Sequence, residues 1–294
     1  MSGELYALLA ALAYGGAGVA IAKGKVTARG DNGLFLSVVA TAVLSGLIWV
    51  FWGQVPASAL RDPEAIGPII IFALAGLMAS VFGRMFMFRA TEGTGPVTAG
   101  LLRRLTPVFG LLFGFLMLAE WPDMVTLAGA VIVTGAVLFY LPPSALRQGR
   151  FSQIGLAFGV GSAAAYALAY TLRSAALAGL PDAALGTFIG ALVGGIWILG
   201  AASLRRDRLR SIQALLVDRG RWHLLAALAL SAGQFLQFLA LKSATVVTVA
   251  TLGTLEVFFA AVILRLTTGT PPAYPWRLMA AGAAALGGTA LMLA

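Results

Sequence analysis

Two stretches read together decide the fold: MFMFRATEGTGPVTAGLLRRLTPVF at residues 85–109 and FLQFLALKSATVVTVATLGTLEVFF at residues 235–259. A shift of 150 residues sets Phe88 on Phe238, Ala90 on Ala240, Val97 on Val247, Leu105 on Leu255 and Phe109 on Phe259. Further along, a shift of 153 residues pairs Gly129 with Gly282 and Gly135 with Gly288. The difference implies a three-residue insertion, and the loop at 267–274 is its natural place. The chain therefore reads as two related halves, residues 1–146 and 147–294.

Outward from these stretches, hydropathy interrupted by polar residues, Pro and Gly predicts ten spans. The first half supplies 4–22, 34–52, 66–88, 97–119 and 124–141. After the break PPSALRQGR at 142–150, the second half supplies 153–177, 183–203, 222–241, 246–264 and 276–293. Composition agrees: 60% of the 294 residues are hydrophobic and 11% charged, against roughly 45–50% and 25% in soluble domains. About 20 apolar residues cross ~30 Å of hydrocarbon, and a helix satisfies its own backbone where lipid cannot. The expected fold is an all-α integral membrane protein with ten transmembrane helices. Because each half holds an odd number of spans, the second enters from the opposite side, making two inverted five-helix repeats. Such repeats are common in secondary transporters, where one bundle rocks against the other around a midplane site. The chain opens MSGELY and runs straight into a full-length span, without the cationic start of a cleaved signal, so the first helix is expected to stay.

Several function classes are disfavoured. The absence of cysteine removes disulfides, thiolate metal sites and cysteine nucleophiles, and His223, expected at an interface, is the sole histidine. No catalytic residue, metal site or cofactor is expected, nor the pore symmetry or filter of a channel. The net charge of +9 lies beside apolar segments rather than on a soluble basic face. The expected partners are a small-molecule solute and the lipid bilayer, not nucleic acid, and no segment specifies an oligomeric state. Trp52, Trp121, Tyr140, Trp222, Tyr274 and Trp276 fall near span ends and read as interfacial anchors.

Charges inside spans are costly and face protein or water. Arg84, Arg103, Arg104 and Glu256 are such charges. Arg103 lies roughly 9 Å and Glu256 roughly 15 Å into their helices, from opposite faces, at 1.5 Å per residue. An arginine and Glu256 could hold the carboxylate and ammonium of an amino acid; equally, they could pair structurally, or the arginines could snorkel. Adjacent positions point about 100° apart, so Arg103 and Arg104 are not expected in the same narrow cavity. Gln234 and Gln237 share a face of the eighth span and can bond a solute or a neighbouring helix. Tyr14, Tyr166 and Tyr170 occupy the first span of each half and can meet a solute or simply pack. Candidate substrate-binding residues are thus Arg84, Arg103, Glu256, Gln234, Gln237, Tyr14, Tyr166 and Tyr170. Pro107 is expected to kink the middle of the fourth span, and the glycines at 186, 190 and 194 to form a packing ridge.

ATEGTGPV at 90–97, RLTPVF at 104–109, LAEWP at 118–122 and the spaced Gly129 and Gly135 resemble the EamA repeat of the drug/metabolite transporter superfamily. Tyr14 and Gly15 are similar to that family's Trp-Gly pair in helix one, and LEVF at 255–258 to its second-copy LEPVF with the proline lost. The resemblance implies ten helices around a central cavity and export of small metabolites, with amino-acid exporters of the YddG type as one branch; organic or phosphorylated anions are the alternative. It also implies cytoplasmic termini. The charge pattern points the other way. Fourteen Lys and Arg lie in loops after the odd-numbered spans, against Arg61, Arg173 and Lys242 opposite, which puts both termini outside a bacterial-type inner membrane. A single cysteine introduced between spans seven and eight is therefore expected to resist an impermeant thiol reagent in intact cells and to react after lysis; labelling in intact cells would reverse the orientation.

Overall fold

The computed structural model describes residues 2–86, 89–90, 102–140, 153–268 and 275–293. The ATEGTGPV motif beyond Ala90, the start expected for span four at Val97, the PPSALRQGR break and most of the 267–274 loop lie outside them. Among the described residues every regular element is helical. In chain order these are α1 (Gly3–Lys25), α2 (Leu34–Trp52), α3 (Pro63–Gly76), α4 (Thr106–Leu118) and α5 (Met124–Tyr140). There follow α6 (Gln153–Gly179), α7 (Ala183–Ser203), α8 (Arg208–Leu216), α9 (Arg221–Leu241), α10 (Val246–Gly253), α11 (Glu256–Thr268) and α12 (Pro275–Leu293). Seven helices are long and apolar enough to cross a membrane: α1, α2, Pro63–Phe86, α6, α7, α9 and Val246–Thr267.

The sequence forms these helices with polar residues turned inward. On α2, Ser37, Thr41 and Ser45 recur every four residues and are buried, whereas Val43, Leu47 and Phe51 recur every four residues and are exposed. Lipid is as apolar as leucine, so association depends on close packing and interhelical hydrogen bonds rather than on hiding apolar surface. Thr41 and Ser231 accordingly join α2 to α9 through hydroxyls 2.9 Å apart. The glycine ridge packs as expected: a Cβ at Gly76 would strike the Gly190 backbone, and one at Gly194 would meet Ser80 Cβ at 2.8 Å or less. The helices exchange neighbours between the halves. α1 lies on α9 and α11, α3 on α6 and α7, α4 on α6 and α10, α2 on α7 and α9, and α5 on α12.

Three carboxylates close the helix ends. Asp182 caps α7 by accepting from Ala184 and Leu185 N–H, and also accepts from Gln54 and Val55 N–H at 2.6 and 3.1 Å. At the other end of the bundle, Asp218 accepts from the N–H groups of Arg29, Gly30 and Asn32 at 2.7–2.9 Å. Glu120 accepts from Val246 N–H at the start of α10. These groups replace the water that helix ends and loops need for their free backbone donors.

Several expectations change. Spans four and nine are not continuous α-helices. A 3-10 turn at Arg103–Leu105 precedes α4, and Thr254 and Leu255 donate to carbonyls three residues back between α10 and α11. Pro107 therefore stands in the first turn of α4, where its missing N–H costs nothing, rather than kinking a span's middle. Residues 77–83 form a π-helical turn after α3. Arg173, counted as a loop charge, is 2% exposed within α6; its side would then hold two basic loop residues, Arg61 and Lys242. His223, near the start of α9, is buried beneath Gly24 and Gly33, its Nδ1 accepting from Gly220 N–H. The loop between α7 and α9 holds the short helix α8. Of the anchor residues, Trp52, Trp121 and Trp276 are exposed, and Trp222 lies under Lys23, 4.4 Å from its ring centre; the surroundings of Tyr140 and Tyr274 fall outside the described residues.

Burial pushes the Asp218 carboxyl up, but the three N–H donors and nearby His223 outweigh it and hold it below the ordinary carboxylate value of 3.8. A carboxylate titrating lower when folded stabilises fully above its unfolded pKa and loses that contribution as pH falls through the folded one. Melting in detergent from pH 7 to 3 is expected to destabilise wild type more than Asp218→Asn, whose stability is already lower at pH 7. For Asp182→Ala, which strands four N–H groups, the expected loss is about 1–3 kcal/mol, measured as a lowered Tm.

Candidate functional site

A cavity of about 260 Å³ runs between α1, α2, α6, α9 and the broken fourth and ninth spans. At one end it is bounded by Asn32 and Gly33 of the α1–α2 connection, and it reaches Arg173 and Gln237 further in. Its size is just below the ~300–1,000 Å³ of sites for drug-sized ligands, which suits a small metabolite.

The broken helices supply its charged wall. Glu256 opens α11, and its Oε1 lies 3.5 Å from Arg103 Nη1 and 3.7 Å from Arg104 Nη1. The tightened turn before it leaves the Thr254 carbonyl available, and Arg104 Nη1 donates to it at 3.1 Å. Arg104 and Thr254 are 150 residues apart, the register of the sequence repeat. Arg103 also stands over the Tyr166 ring, 5.2 Å from its centre. Both arginines line the cavity, contrary to the expectation from ideal helix geometry. A 3-10 turn sets adjacent residues about 120° apart, wider than an α-helix does, so the convergence comes from two long, flexible side chains bending to one carboxylate.

Glycines seat the rest. Gly15 brings α1 within reach of the Glu256 carbonyl, where a Cβ would come to 2.7 Å. At Gly233 a Cβ would meet the Tyr14 ring at 2.9 Å, and at Gly83 the Tyr166 ring at 3.0 Å. Ser162 Oγ donates to the Gly83 carbonyl at 2.8 Å beside the π-helical turn. Such turns free backbone acceptors and recur at functional sites. Arg84, just past this turn, donates to Ser37 Oγ at 2.9 Å. Deeper in, Arg173 Nη1 donates to Gln237 Oε1 at 2.7 Å, and Tyr14 OH reaches the same oxygen at 3.4 Å. Arg173 also lies 4.6 Å from the centre of the Phe238 ring.

All eight candidates, Tyr14, Arg84, Tyr166, Tyr170, Gln234, Gln237, Arg103 and Glu256, line this one cavity. The structural pairing of arginine with Glu256, held open as an alternative, is also present in its wall. Arg104, named among the intramembrane charges but not expected beside Arg103, joins them, and Arg173, Ser37 and Asn32 are cavity residues that the sequence reading did not select. Arg173 had a usable signal: it follows Tyr166 and Tyr170 at positions i+7 and i+3, on one helical face. Asn32 and Ser37 carried none. Among the described residues no cluster of His, Cys, Asp and Glu could hold a metal ion. What the walls offer is guanidinium groups, amides and phenols, chemistry that binds and orients oxyanions.

Glu256 neutralises two guanidinium groups, while either arginine alone leaves it one partner. Glu256→Gln is expected to lower Tm in detergent more than Arg103→Gln, by a margin of about 1–3 kcal/mol; an equal or smaller effect would mean that the carboxylate is not the hub of this wall.

Residues 1–141 match the model of the EamA-like transporter family. No curated protein matches the chain. A solved structure titled "Crystal structure of protein" is similar over 98% of this chain and 94% of its own, with a TM-score of 0.70 and 17% identity. At that identity the likeness speaks for the fold alone. Spans that turn polar residues inward and an inner cavity lined with arginine and tyrosine agree with the match of residues 1–141 of this integral membrane protein to the EamA-like transporter family.

Proposed function

We propose that the chain is a secondary transporter that moves a small metabolite by alternating access through the central cavity, without enzymatic turnover. The observation that carries this reading is the convergence of intramembrane charges from separate helices, Arg84, Arg103, Arg104, Arg173 and Glu256, on one cavity. Charges so placed mark solute pathways. The eight candidates named above are its proposed substrate-binding residues.

The two halves, 1–146 and 147–294, serve in this reading as inverted five-helix repeats. Residues 102–118, 124–140 and 275–293 complete ten spans with the seven long helices. Three observations support it. Tightened turns fall at 103–105 and 254–255, which overlap when the chain is shifted by 150 residues. Arg104 contacts its own repeat counterpart, Thr254. The neighbours also exchange in pairs: α1 with α9 answers α3 with α6, and α1 with α10 and α11 answers α6 with α4. A pseudo-two-fold relation would generate each of these.

Amino acids, the solutes suggested by the sequence motifs, would place their carboxylate on an arginine. Their ammonium would meet Glu256 only in competition with two guanidinium groups.

Gly18 lines the cavity with open space around its would-be Cβ, so Gly18→Phe fills the path without a clash. Purified protein in proteoliposomes is expected to show saturable counterflow of a metabolite, reduced at least tenfold by Gly18→Phe at unchanged Tm. Full counterflow in a folded Gly18→Phe variant, or linear uptake without saturation, would overturn the reading.

A further inference from the structure

The cavity's charge is unbalanced. Among the described residues that line it, four guanidinium groups, Arg84, Arg103, Arg104 and Arg173, face one carboxylate, Glu256, an excess of three positive charges. Arg103 and Arg104 share Glu256. Among the described residues no carboxylate lies within 4.0 Å of Arg84 or Arg173. A guanidinium cannot shed its proton in a protein, and a buried charge without a counter-charge is strongly destabilising.

The hydrogen-bond inventory is lopsided in the same sense. The acceptors nearest the cavity's arginines are engaged: Gln237 Oε1 by Arg173 and Tyr14, Glu256 Oε1 by two arginines, the Thr254 carbonyl by Arg104. Among the described residues, the cavity-lining side-chain atoms buried without a hydrogen-bond partner include one acceptor, Asn32 Oδ1 at the α1–α2 end, and three donors further in, Nε of Arg104, Nε of Arg173 and Nε2 of Gln234. The three donor residues are 6%, 2% and 4% exposed, and all line the cavity. A buried donor without an acceptor is costly, so this wall suits a ligand that brings oxygen acceptors and negative charge.

Resting on the transporter reading of the same cavity, we propose that its solute is a small organic dianion, a dicarboxylate or a phosphate monoester. Arg173, backed by Gln237 and accompanied by Gln234, takes one anionic group at the inner end, and Arg84 takes the other. Two negative charges reduce the excess from three to one, whereas a zwitterionic amino acid leaves it at three. Carboxylate and phosphate share the planar or tetrahedral oxygens that a guanidinium fork engages. Phe238 and Tyr170 flank Arg173, 4.6 and 5.9 Å from their ring centres. They hold its fork in place while leaving its Nε without a protein acceptor.

Equilibrium binding of radiolabelled succinate and glycerol 3-phosphate to the full-length protein in detergent tests this, with alanine as the zwitterionic competitor. At least one dianion is expected to bind saturably, more weakly at high salt, and to be displaced poorly by alanine. Which of the two binds tighter distinguishes carboxylate from phosphate. Arg173→Gln, which keeps a donor towards Gln237, is expected to weaken binding about 10- to 100-fold, Arg173→Lys less, and Arg210→Gln on exposed α8 not at all. Should Arg173→Gln fail to elute as a monodisperse species, Arg84→Gln carries the same comparison. Binding of neither dianion, stronger competition by alanine than by unlabelled dianion, or wild-type affinity in a folded Arg173→Gln variant would overturn the proposal. Dianion binding without counterflow in proteoliposomes would instead sink transport and leave the site standing, and alanine counterflow without dianion binding would do the reverse.

Discussion

A hydrocarbon environment supplies neither hydrogen-bond partners for a backbone group nor counter-charges for a guanidinium, so each break in a helix and each arginine must find its partner inside the protein. In this chain the two demands meet. The turn before Glu256 leaves the Thr254 carbonyl available, and Arg104 needs an acceptor. At the turn Arg103–Leu105 the side chains of two adjacent arginines reach one carboxylate. Remove this junction and the fourth and ninth spans would each carry an exposed irregularity at membrane depth. With it, the irregular backbone lines a cavity, which is where membranes tolerate it.

The packing elsewhere follows from the same constraint. Because lipid offers apolar side chains as good an environment as a neighbouring helix does, the helices associate through small residues and hydroxyls. The interior is rich in alanine, glycine, serine and threonine, and the large apolar side chains point outward. Small residues let backbones touch, as at Gly76 and Gly190, and leave room for the few large inner side chains, Tyr14 against Gly233 and Tyr166 against Gly83. The cavity's tyrosines are thus positioned by the absence of side chains opposite them. The carboxylates of Asp182 and Asp218 do comparable work at the two ends, tying connecting backbone to the bundle.

Much of this was legible from residue patterns. Hydropathy located the helices, and the rarity of intramembrane charge singled out Arg84, Arg103, Arg104 and Glu256, while the breaks within the fourth and ninth spans left no mark in the hydropathy. What escaped was local geometry. Periodicity describes directions along an ideal α-helix, so it separated Arg103 from Arg104 by about 100° without the bending of two long side chains to one carboxylate, and it placed Pro107 inside a span that a 3-10 turn interrupts. Arg173 escaped because a charge six residues from a helix end looks like a loop charge until its tyrosine neighbours on the same face are considered. His223 escaped because nothing in its surroundings announces that Gly24 and Gly33 close over it. Nothing in the sequence marks the roles of Asp182 and Asp218, since their backbone partners lie 127–128 and 186–189 residues away.

Those long separations bear on the order in which the chain can be assembled. α1 finds its neighbours in α9, α10 and α11, and the connection after it is tied by Asp218. During synthesis from the N-terminus, the first helix would enter the bilayer well before any of these partners exists. Until then it must rest in lipid alone, with Tyr14 lacking Gln237 and the 29–32 backbone lacking its acceptor. The first half therefore waits on the second, and a chain interrupted before α9 would leave exposed the groups that later form the cavity.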